Sequence, residues 1–283
     1  MKELDELIEI SQFYGRDNRF VIAGGGNTSY KNAEKIWVKA SGSSLATITE
    51  EGFAILDRAK LNEMSGKVYS SNPAEREKEV KNDLAAANLT KNKRPSVETS
   101  LHNIIGYAFV VHLHPTLVNA LMCSRNAESE LKKLFGEKAL FVEYTDPGYV
   151  LFKKVDEQLK AYRATYREEP HVIWLQNHGI FVAADTTEEI KALYAGIFST
   201  LEKAIKIPLP DGEKPVCRCV SRVLPGIRMM LSKSELKTLK VRNNERIAYF
   251  SDHVDHQADI ARPFTPDEIV YCKSNYLFIN KDN

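Results

Sequence analysis

His112 and His114 stand one residue apart in Val111-His112-Leu113-His114, and an extended strand holds every second side chain on one face. Two imidazoles so placed need one more nitrogen from another element to form a three-nitrogen metal site with an open position. His178, in Gln176-Asn177-His178-Gly179 between the apolar runs 171–175 and 180–184, is the natural third ligand. The chain has 7 histidines in all, so three in such settings form a concentration. The competing reading is a row of alternating histidines lining a satisfied sheet face; it suits an isolated histidine better than this trio.

Glu98 opens a helix-like stretch one turn before His102, and the chain then runs directly into the strand bearing His112. A carboxylate beside a Lewis-acidic metal can serve as a general base. Taken alone, Glu98 reads better as an acidic residue of the first helical turn, favoured by the helix dipole. Gly24-Gly25-Gly26-Asn27-Thr28-Ser29 and Ser41-Gly42-Ser43-Ser44 offer backbone amides and small hydroxyls that could approach a phosphate. Neither is a Walker loop or a dinucleotide fingerprint.

These residues need a scaffold, and the periodicity supplies one. Leu4, Leu7, Ile8, Ile10 and Phe13 predict a first helix closed by Gly15. Strands are predicted at Arg19–Ala23, Ile36–Ala40, Tyr107–Leu113 and Leu140–Tyr144, and as a pair over His171–Ala184. Helices are predicted at 74–88, 97–105, 116–122, 128–135 and 149–162, with a capping-box start at Thr186-Thr187-Glu188-Glu189 for a helix to about Ile205. A further helix is predicted near Ser232–Thr238. Strands outnumber what a doubly wound parallel sheet needs, so the fold class is α/β with a mixed, largely antiparallel sheet between helices. Residues 1–205 read as the main domain, and 206–283 as a C-terminal extension packed on it.

Composition narrows the function. The chain has 283 residues, 43% hydrophobic and 27% charged, with a net charge of +1, which suits a soluble globular protein and gives no basic block for nucleic acid. No apolar run reaches a membrane span, and Met1–Glu6 lacks the apolar centre of a signal peptide. Four cysteines make no disulfide framework. Cys123 and Cys272 read as core packing, and Cys217-Arg218-Cys219 as strand alternation; together these suggest a reducing cytoplasm. His253 and His256 read as a solvated helix face rather than a second metal site. His171 and His102 read as structural, with His102 able to orient a neighbour of the metal.

Taken in order, the blocks Asn27-Thr28-Ser29, Ala40-Ser41-Gly42, Pro95-Ser96-Val97-Glu98 with Leu101-His102, Val110–Pro115, Tyr144–Gly148 and Leu175–Gly179 resemble the class II aldolase/adducin family. Within that family, Pro95–His102 and Asp146-Pro147-Gly148-Tyr149 resemble the rhamnulose-phosphate-aldolase-like branch whose aldolase domain is often fused to a short-chain dehydrogenase. The resemblance implies a three-layer α/β/α domain assembled as a homotetramer, with His112, His114 and His178 holding Zn2+ or another divalent metal. It implies Glu98 as catalytic acid/base, and Asn27, Ser41, Gly42 and Ser96 as the substrate phosphate site. The implied reaction is reversible cleavage of an L-rhamnulose- or L-fuculose-like ketose 1-phosphate into dihydroxyacetone phosphate and a short aldehyde. An epimerase, dehydratase or decarboxylase on the same scaffold is an alternative, as is a non-catalytic adducin-like binding protein. Two departures stand out: Val97 occupies a position where fuculose-type aldolases carry serine, and Ala127–Leu140 lacks their tyrosine, leaving Glu143, Tyr144 or Asp146 as substitutes. Pro263–Asp267 resembles the lead-in to a fused partner; with no dinucleotide fingerprint, the chain corresponds to the aldolase half.

Overall fold

All five residues of Phe109–Leu113 are buried, as a strand must be when both its faces carry helices. In a computed structural model that describes residues 1–90, 92–205, 212–252, 254–273 and 277–278, this strand is the centre of a seven-stranded sheet. The chain runs α1 (Lys2–Gly15), β1 (Asn27–Lys31), β2 (Lys35–Lys39), β3 (Phe53–Asp57), α2 (Arg58–Gly66), α3 (Pro73–Ala87), α4 (Thr99–Ile104), β4 (Phe109–Leu113), α5 (Thr116–Met122), α6 (Ala127–Phe135), β5 (Leu140–Val142), α7 (Tyr149–Tyr166), β6 (Val172–Leu175), β7 (Gly179–Ala184) and α8 (Thr187–Ala204). Beyond these come α9 (Arg218–Leu231), α10 (Glu245–Ser251), α11 (Val254–Asp259) and α12 (Pro266–Cys272).

The strand order is β3-β2-β1-β4-β7-β6-β5. Every pairing is antiparallel except the parallel β5–β6 edge, so the mixed, largely antiparallel expectation holds. Alternation sorts the core into two faces. Val111, Leu113, Ile180, Val182 and Trp174 pack with apolar residues of α1, α5, α6 and α8. Val110, Phe181, Ala183, Ile173 and Leu175 face the other way, toward Leu101 of α4 and Leu151, Val155 and Leu159 of α7. On that second side, Ile36, Val38, Ala54 and Leu56 pack with Leu61 of α2 and Leu84 of α3.

Four local expectations are corrected. Residues 19–23 form turns rather than a strand. Asp17 collects the Arg19 amide and guanidinium at 2.7–3.1 Å and its carbonyl takes the Phe20 and Val21 amides, so a local side chain outcompetes ladder pairing. The apolar Phe20 and Val21 anchor this turn in the core instead. The predicted helix near 232–238 is displaced N-terminally to α9: Ser232 Oγ donates to the Arg228 carbonyl at 2.7 Å and accepts the Lys237 amide at 2.9 Å, which closes the helix and folds a turn. Cys217 and Cys219 are not strand residues. They lie at the start of α9 with their sulfurs joined. Cys272 is exposed, not core, while Cys123 is half-buried.

The chain divides into two units, the first comprising Met1–Ala204 with Phe264–Lys273, the second Ile205–Pro263 with Ser274–Asn283. The strand layer and its helices belong to the first. In the second, His256 stacks on Tyr249 with centroids 4.1 Å apart; His253 lies outside the described residues. Among the described residues, no helix is long and apolar enough to cross a membrane.

Candidate metal centre

The β1–β4 register sets Asn27 beside His112, and β4–β7 sets His112 beside Phe181, on whose ring it stacks at 4.0 Å. His114 lies just past the end of β4 on the same face. His178 arrives through the β6–β7 hairpin, whose turn holds Asn177 at φ 54°, a left-handed conformation that asparagine tolerates better than most residues. Its neighbour must be glycine: a Cβ on Gly179 would come within 2.4 Å of the Leu113 carbonyl oxygen and 2.7 Å of His114 Cδ2. The Asn119 amide of α5 ties down the His178 carbonyl at 3.1 Å.

The three imidazoles converge. His112 Nε2 lies 3.0 Å from His114 Nε2 and 3.3 Å from His178 Nε2. All three residues are buried. His112 Nδ1 is 3.0 Å from the Ile180 carbonyl and His114 Nδ1 is 2.8 Å from Asp267 Oδ1. Carbonyl and carboxylate oxygens only accept, so both Nδ1 atoms carry a proton, and in the neutral rings both Nε2 atoms then present lone pairs. Burial, followed by the repulsion the His112 and His114 rings would feel if both were protonated, holds His112 far below the usual imidazole range. Burial likewise brings His178 down to about 3, against an opposing pull from Glu98. Neutral rings with inward lone pairs are the form that binds a metal.

Glu98 completes the cluster. It is the N-cap of α4, yet its side chain caps nothing; Oε1 instead lies 3.4 Å from both His112 Nε2 and His178 Nε2. That oxygen is buried without a hydrogen-bond partner among the described residues. The acceptor nitrogen of His112 and a carboxylate oxygen facing one another repel unless a cation lies between them. The donor set therefore fits a divalent ion, and the three histidines form a group able to hold one.

The other predicted residues fall into two places. Asn27 Nδ2 donates to Glu98 Oε2 at 2.6 Å, and Asn27 Oδ1 accepts from His102 Nε2. His102 Nδ1 in turn takes the Ser29 hydroxyl at 2.7 Å. His102, buried and held well below its ordinary value by that burial, thus fixes which end of the Asn27 amide meets Glu98. Ser41 lies apart from this relay: its amide donates to the Arg94 carbonyl at 2.8 Å and its hydroxyl to the Pro95 carbonyl at 3.3 Å. Ser96 Oγ accepts the Glu98 amide at 3.2 Å. The Ser41-Gly42 segment therefore runs against the segment that leads into Glu98, and Gly42 faces open space.

The remaining acid/base candidates are engaged elsewhere. Glu143 takes Lys154 at 3.0 Å, and the exposed Tyr144 donates to Asp146 at 3.3 Å. His171 serves packing, stacked on Tyr107 at 4.3 Å. Two buried residues beside the site escaped the sequence reading. Lys39 donates to the Gly24 carbonyl at 3.1 Å in the field of Asp267 and Glu98. Asp267 reaches His114 from 153 residues away. Charged residues inside apolar or turn-like stretches were the available signal for both.

The family described as the class II aldolase and adducin N-terminal domain matches residues 5–207. The chain belongs to that family. Its similarity to an L-fuculose phosphate aldolase of Methanocaldococcus jannaschii is 27% identity over 173 residues, 58% of this chain and 75% of the relative. A Bacillus subtilis (strain 168) protein named as the uncharacterized oxidoreductase YuxG is 26% identical over 306 residues, spanning 99% of this chain. The chain corresponds to 42% of the length of that longer relative. Among solved structures, the N-terminal class II aldolase domain of a conserved Thermoplasma acidophilum protein superposes with TM-score 0.60 and 26% identity, covering 72% of this chain and 93% of that one. The class II aldolase fold thus covers the unit that carries the histidine cluster.

Proposed function

We propose that this chain is a divalent-metal-dependent aldolase that reversibly cleaves a ketose 1-phosphate to dihydroxyacetone phosphate and a short aldehyde, the substrate resembling L-rhamnulose or L-fuculose phosphate. The observation that carries it is Glu98 Oε1, which has no hydrogen-bond partner among the described residues and lies buried 3.4 Å from two of the three converging histidines. The relative named as an L-fuculose phosphate aldolase supports the substrate class.

His112, His114 and His178 would hold the ion, with zinc as the metal. The ion would supply a Lewis acid for the charge that carbon–carbon cleavage leaves on the ketone fragment. Glu98 returns a proton to the carbon that loses the aldehyde, and removes it in synthesis. Asn27 keeps Glu98 turned toward the histidines, and His102 keeps Asn27 turned toward Glu98. Because the Asn27 amide is committed in this way, the phosphate handle rests on Ser41, Gly42 and Ser96. The functional form is a cytoplasmic homotetramer.

Metal analysis joined to a screen of ketose 1-phosphates for dihydroxyacetone phosphate release tests this reading. Stoichiometric divalent metal with two carbon fragments is the expected outcome. A metal-loaded protein that returns only rearranged, uncleaved sugar is an epimerase, and one that binds no metal is an adducin-like binding protein.

A further inference from the structure

We propose that Asp267, delivered by the C-terminal helix α12, is a positioning residue that fixes His114 for metal binding, so that the metal centre is incomplete without residues 264–273. This rests on the three-histidine reading above. Both carboxylate oxygens are engaged: Oδ1 accepts from His114 Nδ1 at 2.8 Å and Oδ2 accepts the Ile22 amide at 3.1 Å. Asp267 is 2% exposed, too enclosed for a chance surface contact.

The seat for this residue is built from both sides. Thr265 and Glu268 form a capping box that sets the start of α12. The Cys123 thiol, at the end of α5, donates to the Phe264 carbonyl at 3.2 Å. Opposite, the glycine-rich loop is bare where the helix lands. A Cβ on Gly25 would stand 1.9 Å from Asp267 Oδ1, and one on Gly24 would stand 2.3 Å from the Tyr271 hydroxyl. The glycines that resemble an anion cradle in sequence are thus filled by the protein's own chain.

The chemistry follows from what a carboxylate does to an imidazole. It holds the Nδ1 proton, fixes the ring orientation and makes Nε2 a better donor to a metal. Two buried carboxylates, Glu98 and Asp267, then flank the histidines. A divalent cation among them would offset the cost of burying both.

The test is metal affinity of the full chain, measured by chelator competition with Zn2+ and by the visible spectrum of the Co2+-loaded protein. Wild type and H178A set the scale. D267A is expected to bind Zn2+ about 10–100-fold more weakly than wild type, with an altered Co2+ spectrum. G25A, which leaves the carboxylate in the chain but evicts it from its seat, should do the same. D267N replaces D267A if the latter loses its thermal unfolding transition. It keeps an acceptor for Nδ1 but drops the charge, and should still bind more weakly than wild type. Wild-type affinity in both the Asp267 variant and G25A overturns the proposal while leaving the metal centre standing. A wild-type protein that binds no better than H178A overturns both.

Discussion

The Asn27 carboxamide donates to one oxygen of Glu98 at 2.6 Å, while the other oxygen, beside the histidines, has no hydrogen-bond partner among the described residues. This asymmetry separates the two halves of the carboxylate into one that is held and one that is available. It also turns the competing readings of Glu98 into different experimental outcomes.

If Glu98 moves protons rather than supporting the fold, Glu98→Gln keeps the Asn27 partner and the shape. Turnover is expected to fall by about 10²–10⁴-fold with metal content close to wild type. Activity assays paired with elemental analysis check this. Joint loss of metal and activity would make Glu98 a ligand instead.

Asn27→Ala removes the donor that orients Glu98, and His102→Phe removes the group that orients Asn27. Both variants should lower kcat with KM for the ketose phosphate little changed, the pattern of an interaction needed in the transition state. Steady-state kinetics on metal-replete enzyme decide it. A rise in KM alone would return Asn27 to the phosphate site.

The phosphate handle gives the opposite signature. Ser41→Ala and Ser96→Ala are expected to raise KM for a ketose 1-phosphate, and to leave the unphosphorylated ketose unaffected. Loss of one hydrogen bond to a charged group amounts to about 1.5–3 kcal/mol, roughly a 10–100-fold change. Equal effects on both substrates would remove the assignment.

Lys31 offers a test of the fold rather than the site. Its ammonium is buried without a hydrogen-bond partner among the described residues, and burial lowers its pKa from 10.5 to about 7. Between those values the unfolded chain holds a proton that the native state does not, so this residue makes stability rise with pH across that window, by up to ~1.4 kcal/mol per pH unit. Below about pH 7 both states are protonated and the full burial cost remains. Lys31→Met should therefore be more stable than wild type, with a gap that narrows from pH 7 to 10. Urea unfolding at several pH values measures it. A gap independent of pH would contradict the buried charge.

Alternation with a period of two put His112 and His114 on one face, and an apolar hairpin brought His178 to the same place; both facts were legible because strand geometry is local. The periodicity of α1 was similarly plain, with Leu4, Leu7, Ile10 and Tyr14 buried. The 19–23 segment was misread because its apolar residues are anchors on a turn closed by Asp17, and pattern alone does not show which hydrogen bonds a backbone prefers.

What the sequence alone determined, then, is what depends on neighbours in the chain: the two-faced strands, the histidine spacing, and the mixed sheet their number requires. Tertiary structure decided the rest. Glu98 faces the histidines instead of capping its helix because the β1–β4 register puts the Asn27 amide where it can hold it. Asp267 meets His114 because a distant helix finds a loop without side chains. Such contacts depend on the convergence of segments far apart in the chain, and no local propensity encodes that.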